Sequence, residues 1–424
     1  MARYGKFDAV GGRGKPPRMR RHNAYATFRV RCTTNRSMLC IHNAKLIQAD
    51  RIVDRGWVLI ENDLINAFGQ GVPLAGHEQV DAEGLYLAPG FIDLHVHGGL
   101  GSDFLDATPD AFLTAADFHL SGGTTSICPT AATATYLAFD SFLTAWQTAK
   151  NRSKVRLLPV HLEGPHLAPS KAGAQNSELM CPPGDEHREW ILSRIRDISQ
   201  ITIAPELPGA LRFIEDLTRA GIIMSAGHTE ASDQDMESAV EAGLAKVTHL
   251  FNAMSTASKR GLFRQAGTME FALSDGRIFC ELVADGFHVL PTLLRLAYRA
   301  KGPERIALVS DCLAGGGLSE GTRFQLGNVR CKVGPGYCML EDESALSGSS
   351  AQMIHLVRVM HQQAEVPLFN AVRMASLTPA TILRIDDRFG SIEPGKTADL
   401  VLFDEQFTVR RVWIGGTLVF DLLK

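Results

Sequence analysis

Hydrophobic and polar positions change their period along this chain. Between residues 38 and 87, short apolar runs alternate with turn signals, at residues 39–47, 56–60, 64–68 and 84–87, which is typical of β-strands. After Pro89 the apolar runs are separated by long helical stretches, which indicates strand–helix units around a parallel sheet. Eight such strands are predicted, at residues 91–97, 124–129, 155–163, 201–205, 221–228, 246–251, 278–284 and 306–310. Strand-like runs return at residues 400–403 and 409–420.

This order of elements predicts an α/β fold with two parts. Eight strand–helix units over about 220 residues match a (β/α)8 barrel of the TIM type. We place that barrel at residues 89–386 and a small β-sandwich domain, built from both chain ends, at residues 37–88 and 387–424. Residues 1–36 are rich in arginine and broken by Gly11-Gly12 and Pro16-Pro17, which predicts a disordered tail. A targeting peptide or a start codon assigned too early are alternatives for this segment.

Composition narrows the class of protein. The chain has 424 residues, 45% hydrophobic and 21% charged, and a formal net charge of -3, which provides no general attraction to nucleic acid or to an acidic membrane surface. No run of about 18 apolar residues exists, so no membrane span is expected. None of the eight cysteines forms a Cys-x-x-Cys pair, which favours a reducing cytoplasm. A small-molecule partner is therefore expected.

Metal-binding residue types fall at the carboxyl ends of the predicted strands. In a barrel these ends meet at one mouth. The residues are His95, His97, His161, Glu163, His166, His228, His249, Asp285, His288 and Asp311. A single histidine at a strand end is more often a hydrogen-bonded core residue than a ligand, so the prediction depends on their convergence. Histidine and carboxylate ligands suit zinc, iron, manganese or cobalt.

We predict that Glu163, His228 and His249 hold one metal ion with a water in an open position, and that His95 and His97 hold a second ion bridged by Glu163. Asp311 is the predicted general base, which later returns the proton to the leaving group. This chemistry hydrolyses an amide or a related bond. Serine catalysis is disfavoured because the Gly-x-Ser-x-Gly run at residues 317–321 lies in a glycine-rich loop segment and not between a predicted strand and a helix.

Several segments together resemble the amidohydrolase superfamily and, within it, the family of N-acetylglucosamine-6-phosphate deacetylases. They are residues 89–97, 161–165, 225–229, 248–254, 284–289, 310–311 and 390–401. The resemblance implies release of acetate from an N-acetylated amino-sugar phosphate. It also implies one or two divalent ions, with zinc or iron favoured, the ligands and acid/base named above, and a homodimer.

The resemblance further implies substrate contacts at Ala174, Gln175, Asn252, Ala253, Arg264, Asp285, His288, Leu346, Ser347 and Gly348. Two positions depart from the family. Gln175 stands where the family usually has histidine, and glutamine can hydrogen-bond a hydroxyl but cannot carry a proton. Arg264 matches the phosphate-binding arginine only if residues 255–263 contain an insertion, and Arg260 is the competing residue.

Three alternatives stay open. The sugar could have the galacto configuration, as in N-acetylgalactosamine-6-phosphate. The chain could be another amide hydrolase of the dihydroorotase or hydantoinase type, which typically uses a carboxylated lysine at the end of strand four, but residues 201–206 contain no lysine. A catalytically silent scaffold would have lost metal ligands and the strand-eight aspartate, and all of these are present.

Overall fold

A computed structural model describes residues 38–73 and 77–422 of the chain. The predicted basic tail, residues 1–36, lies outside the described residues. Within the described residues, no helix is both long enough and apolar enough to cross a membrane.

A small mixed β-sheet is assembled from both ends of the chain. Its strands are Met38–Ile47, Ile52–Glu61, Leu64–Gln70, Glu78–Asp81, Tyr86–Pro89, Leu400–Phe403, Val409–Ile414 and Thr417–Asp421. The two ends are joined where Leu400–Phe403 pairs antiparallel with Tyr86–Pro89. These strands belong to one continuous hydrogen-bonded sheet, which encloses its own apolar cluster around Leu46, Ile60 and Trp413.

The middle of the chain forms the predicted barrel. Its strands are Phe91–Val96, Thr124–Ala131, Val160–Glu163, Ile198–Ile203, Ile223–Ala226, Lys246–Val247, Phe279–Leu282 and Ile306–Leu308, with Arg156–Leu157 added beside the second. All neighbouring pairs are parallel. The residues just after the last strand are hydrogen-bonded to the end of the first strand. Asp311 N donates to His95 O (2.9 Å), and His97 N donates to Cys312 O (2.8 Å). The barrel with a small β domain is thus confirmed.

Helices cover the outside of the barrel. They are Pro109–Ser121, Tyr136–Ala149, Asp185–Leu192, Ala210–Ala220, Asp233–Glu241, Thr268–Ser274, Pro291–Lys301, Met353–Gln362, Leu368–Ala375 and Leu377–Ile382, and short 3₁₀ turns are Phe104–Asp106, Pro169–Lys171 and Ser177–Leu179. Local sequence explains their starts, since Thr108 accepts a bond from Ala111 N (3.2 Å) ahead of a proline at the first helical position. Their apolar faces belong to the same buried core as the strands, and Phe112 and Phe142 of the first two helices pack against each other there, with ring centroids 5.4 Å apart.

A four-stranded antiparallel sheet follows the last barrel strand. It consists of Arg323–Leu326, Val329–Val333, Tyr337–Leu340 and Leu346–Ser349. Smaller pairs join Gly98–Gly99 to Ser102–Asp103 and Ser258–Arg260 to Phe263–Gln265. Apolar side chains of the four-stranded sheet, Leu326, Cys331 and Cys338, pack with Leu313 and Ala174. This packing places the sheet beside the loops at the carboxyl end of the barrel.

Candidate active site

The candidate ligands are presented at the carboxyl ends of the barrel strands. Glu163 is the last residue of its strand, while His228, His249 and Asp311 come two or three residues after the ends of theirs. These three residues have φ values of 47°, 33° and 48°, in the left-handed region that residues other than glycine seldom adopt. Such conformations cluster at functional sites, where the surrounding structure holds them in place.

One oxygen of Glu163 faces a pair of histidines. Its Oε1 lies 3.2 Å from His228 Nε2 and 3.0 Å from His249 Nε2, and these two nitrogens are 3.1 Å apart. His228 is oriented from behind, because its Nδ1 lies 2.7 Å from the carbonyl oxygen of Lys171. Three potential ligand atoms therefore surround one point.

The other oxygen of Glu163 faces a second pair. Its Oε2 lies 3.4 Å from His95 Nε2 and 3.3 Å from His97 Nε2, and these nitrogens are 3.1 Å apart. Asp311 completes this side, with Oδ1 3.5 Å from each of the two nitrogens. Glu163 thus stands between two similar groups of donors.

The carboxylates make this region attractive to positive charge. Burial favours the neutral imidazole, but Glu163 and Asp311 outweigh it, so the pKa of His95 is well above its usual value and the pKa of His97 is raised to about 9. Burial would raise the pKa of both carboxyl groups, yet His95 and its neighbours hold the pKa of Glu163 and of Asp311 below the usual range. Both carboxyl groups are accordingly anionic at neutral pH.

The donor set fits divalent metal ions. Tetrahedral zinc with ligands at about 2.0–2.1 Å needs donor atoms about 3.3 Å apart, close to the 3.0–3.4 Å separations around both Glu163 oxygens. Two groups of side chains place their ligand atoms within 4.8 Å of one another, close enough to share an ion. They are His95, His97 and Glu163, and Glu163, His228 and His249. The residues present therefore suit divalent ions, which Glu163 and the two histidine pairs would hold.

A third cluster, His166, Cys181 and His187, is arranged differently. His166 Nδ1 lies 2.9 Å from the carbonyl oxygen of Cys181, and its Nε2 lies 3.0 Å from Tyr136 Oη. His187 Nδ1 accepts a bond from Gly184 N (3.1 Å). Three of the four ring nitrogens in this cluster are therefore already hydrogen-bonded within the protein.

A cavity of about 260 Å³ opens onto the metal-competent residues. This volume lies near the lower end of small-molecule sites, about 300–1,000 Å³. The sequence-predicted residues that line it are His97, Glu163, Ala174, Gln175, His228, His249, Asn252, Ala253, His288, Asp311, Leu346 and Ser347. Gly173, Leu313 and Leu326 also line it and were missed, since only the folded loops bring them to the mouth.

Four predicted residues do not line this cavity. His95 is fully buried beneath it, and Asp285 lies behind His288, with its Oδ2 2.7 Å from His288 Nδ1. Gly348 is buried next to Ser347 in the same strand. Arg264 is exposed on the hairpin strand Phe263–Gln265. The phosphate contact predicted for Arg264 therefore stays a prediction.

Gln175 contacts the central carboxylate. Its Nε2 donates to Glu163 Oε2 (2.5 Å), and its Oε1 accepts from the backbone N–H of Thr133 (2.6 Å). The Thr133 contact fixes which end of the amide points to Glu163, because only the oxygen can accept that bond. Gln175 is thus positioned to orient Glu163.

Two charged residues inside the barrel were not predicted as part of the site. Lys246 and Glu281 are both fully buried and form an ion pair, and Glu281 Oε2 also lies 3.1 Å from His95 Nδ1. Burial raises the pKa of Glu281, but Lys246 and His95 outweigh it and hold that pKa below its usual range. A lysine and a glutamate within apolar predicted strands are the sequence signal that was available, since charged residues are seldom buried unless paired.

Known proteins resemble this chain over most of its length. The sequence pattern of the Amidohydrolase family matches residues 86–419. The N-acetylglucosamine-6-phosphate deacetylase of Bos taurus is 35% identical over 357 residues, covering 81% of this chain and 86% of that protein. The protein of the same name from Vibrio furnissii is 32% identical over 341 residues, covering 79% and 83%.

A solved structure agrees with these similarities. The crystal structure of N-acetylglucosamine-6-phosphate deacetylase from Pasteurella multocida matches with a TM-score of 0.84 at 29% identity, and the match covers 90% of this chain and 99% of that one. Because the family pattern spans most of the chain and the two relatives are more than 30% identical over most of their own length, this chain belongs to the amidohydrolase family.

Proposed function

We propose that this protein is a metal-dependent hydrolase that converts N-acetylglucosamine-6-phosphate and water into glucosamine-6-phosphate and acetate. The observation that carries the proposal is the placement of Glu163 between two histidine pairs, with Asp311 beside it at the cavity. The names of the relatives and of the solved structure supply the substrate.

The side chains of this site suit amide hydrolysis. Bound divalent ions would lower the pKa of a water molecule from 15.7 toward about 7 and polarise the amide carbonyl. Glu163, His228, His249, His95 and His97 would hold these ions. Asp311 is anionic and lines the cavity, so it can accept the proton of the attacking water and donate it to the amine as the carbon–nitrogen bond breaks.

The sugar would occupy the cavity beside the metal-competent residues. Asn252, Ala253 and His288 line one part of the wall, and Leu346 and Ser347 another. The pKa of His288 is raised because Asp285, held in contact with it, outweighs the effect of burial. The raised pKa favours the charged form of His288, which suits an anionic or hydroxyl-rich ligand.

Other members of the proposed substrate class remain alternatives. N-acetylgalactosamine-6-phosphate differs from N-acetylglucosamine-6-phosphate only in the orientation of one hydroxyl group. The two sugars carry the same charge, so the charged residues of the cavity do not distinguish them. Another amide substrate is less well supported, because the strand Ile198–Ile203 and the two residues after it contain no lysine that could bridge two ions. A dimeric state and a cytoplasmic location stay predictions.

Acetate release tests the proposal directly. We expect turnover of N-acetylglucosamine-6-phosphate in preference to the unphosphorylated sugar, and a loss of about 100- to 10,000-fold in kcat for Asp311→Asn. The control Asp399→Asn removes a carboxylate paired with Arg156 and should keep wild-type kcat.

Two results would contradict the proposal. Wild-type protein loaded with metal could fail to release acetate from the phosphorylated sugar, which would direct the search to other N-acyl compounds. Asp311→Asn could retain full activity, which would remove Asp311 from the chemistry.

A further inference from the structure

A charged pair lies inside the barrel, beneath the candidate metal site. Lys246 and Glu281 are 0% exposed and come from neighbouring strands, Lys246–Val247 and Phe279–Leu282. Taking two charges out of water is costly, and replacing such a pair by apolar residues often leaves a fold as stable or more so. The stability of the core therefore does not by itself explain why a charged pair lies here.

Glu281 makes a second contact, which leads directly to the site. One of its oxygens pairs with Lys246, while Oε2 lies 3.1 Å from His95 Nδ1. A carboxylate only accepts hydrogen bonds, so His95 must carry its proton on Nδ1. In the neutral ring, the form that binds a metal ion, the lone pair of His95 is then on Nε2, the atom that faces Glu163 Oε2 at 3.4 Å.

A carboxylate thus lies behind the ring of His95, and the other candidate histidine ligands differ in this respect. His228 Nδ1 contacts a backbone carbonyl, that of Lys171. His97 Nδ1 and His249 Nδ1 are buried without a hydrogen-bond partner among residues 38–73 and 77–422. A carboxylate behind a histidine fixes the tautomer and orientation of the ring and raises its strength as a ligand.

We propose that Glu281, held in place by Lys246, is a positioning residue that keeps His95 in the tautomer able to bind metal through Nε2. It thereby sets the affinity of the position formed by His95, His97 and Glu163, and acts little on the position formed with His228 and His249. This inference rests on the proposed metal site, but not on the identity of the substrate.

A single substitution, Glu281→Gln, tests the tautomer. Lys246 can only donate, so it will take the amide oxygen of the new side chain and turn the amide NH₂ toward His95 Nδ1. That NH₂ needs an acceptor, which moves the proton of His95 to Nε2 and blocks the ligand atom. We expect one of the two zinc ions to bind about 10- to 100-fold more weakly, with the other unchanged.

A double variant separates positioning from simple damage to the core. In Lys246→Met/Glu281→Gln the amide is free to turn its oxygen toward His95 Nδ1–H, which restores the binding tautomer. We expect zinc affinity at the weakened position to recover toward the wild-type value, even though two buried residues have changed. The control Asp399→Asn alters an ion pair with Arg156 and should leave both zinc affinities unchanged.

The measurement is a zinc titration of chelator-treated full-length protein against a chromophoric competitor, with elemental analysis of bound zinc and circular dichroism to verify folding. Two wild-type equivalents, one weakened in the single variant and recovered in the double, support the inference. The inference would be overturned by unchanged zinc affinities in Glu281→Gln, by an equal loss at both positions in folded protein, or by no recovery in the double variant. A wild-type protein that binds one zinc ion or none would also overturn it. Since no substrate is present, failure of the deacetylase assay does not affect these outcomes.

Discussion

A substitution of Gln175, the glutamine at the position where the family usually has histidine, tests whether this side chain acts on the metal site or on the sugar. The change is Gln175→Ala, which removes the donor to Glu163 Oε2 and the acceptor for Thr133 N. Since Glu163 faces both histidine pairs, freeing its carboxylate should weaken both zinc positions together. This differs from the single weakened position expected for Glu281→Gln.

The size of the effect follows from the bond that is lost. A hydrogen bond to a charged group contributes about 1.5–3 kcal/mol. At about 1.4 kcal/mol per tenfold change in affinity, Gln175→Ala should weaken zinc binding by about 10- to 150-fold. The unpaired N–H of Thr133 should in addition lower the free energy of unfolding of the zinc-free protein by about 1 kcal/mol, because Gln175 supplied its acceptor.

Zinc titration and steady-state kinetics together decide between the two roles of Gln175. A positioning role predicts weaker zinc binding and activity that excess zinc restores, with KM close to that of the wild type. Unchanged zinc affinity with a raised KM for the phosphorylated sugar would refute this reasoning and support the substrate contact predicted from the sequence. Asn176→Ala is a matched control in the same loop, because the Asn176 side chain accepts a bond from Glu178 N and does not contact Glu163.

Further predictions concern metal content and acid stability. Chelation should abolish acetate release and added zinc should restore it, whereas activity in protein verified as metal-free would contradict the role of the ions. His97→Asn should reduce bound zinc from two ions to one by elemental analysis, because Glu163, His228 and His249 remain; retention of both ions would exclude His97 as a ligand. Burial lowers the pKa of His119 from 6.5 to about 4 in the fold, so the unfolded chain takes up its proton first as the pH falls. The stability that depends on neutral His119 should be full above pH 6.5 and decrease by about 3 kcal/mol between pH 6.5 and 4. Denaturant unfolding of wild type and His119→Gln across this range should show a shallower decrease in the variant, and parallel curves would contradict the assignment.

The sequence alone was enough to predict that the candidate site residues converge. Apolar runs of strand length separated by helical stretches define parallel strands, and parallel strands place their carboxyl ends at one mouth. Glu163, His228 and His249 therefore meet without any need for atomic detail. The i and i+2 spacing of His95 and His97 likewise placed both rings on one side of the first strand.

Other features depended on side-chain directions that only the tertiary structure determines. Asp285 and His288 were both predicted to contact substrate, yet Asp285 lies behind His288. The stagger of neighbouring strands decides whether a residue points to the mouth or to the layer below it. Arg264 illustrates the same limit, because only the structure shows that it lies exposed on the hairpin strand Phe263–Gln265.

The pair of Lys246 and Glu281 shows why the rest could not be obtained from the sequence. The two residues are 35 positions apart and lie on strands whose register is set by packing around the whole barrel. The sequence reveals that a strand is buried, because burial leaves a run of apolar residues within the strand itself. It does not reveal which two charged side chains meet inside, because that depends on how separate strands are aligned. The sequence thus determined the barrel, its mouth and the residue types gathered there, while the tertiary structure decided which of these side chains meet at the cavity, which lie behind them and which lie apart.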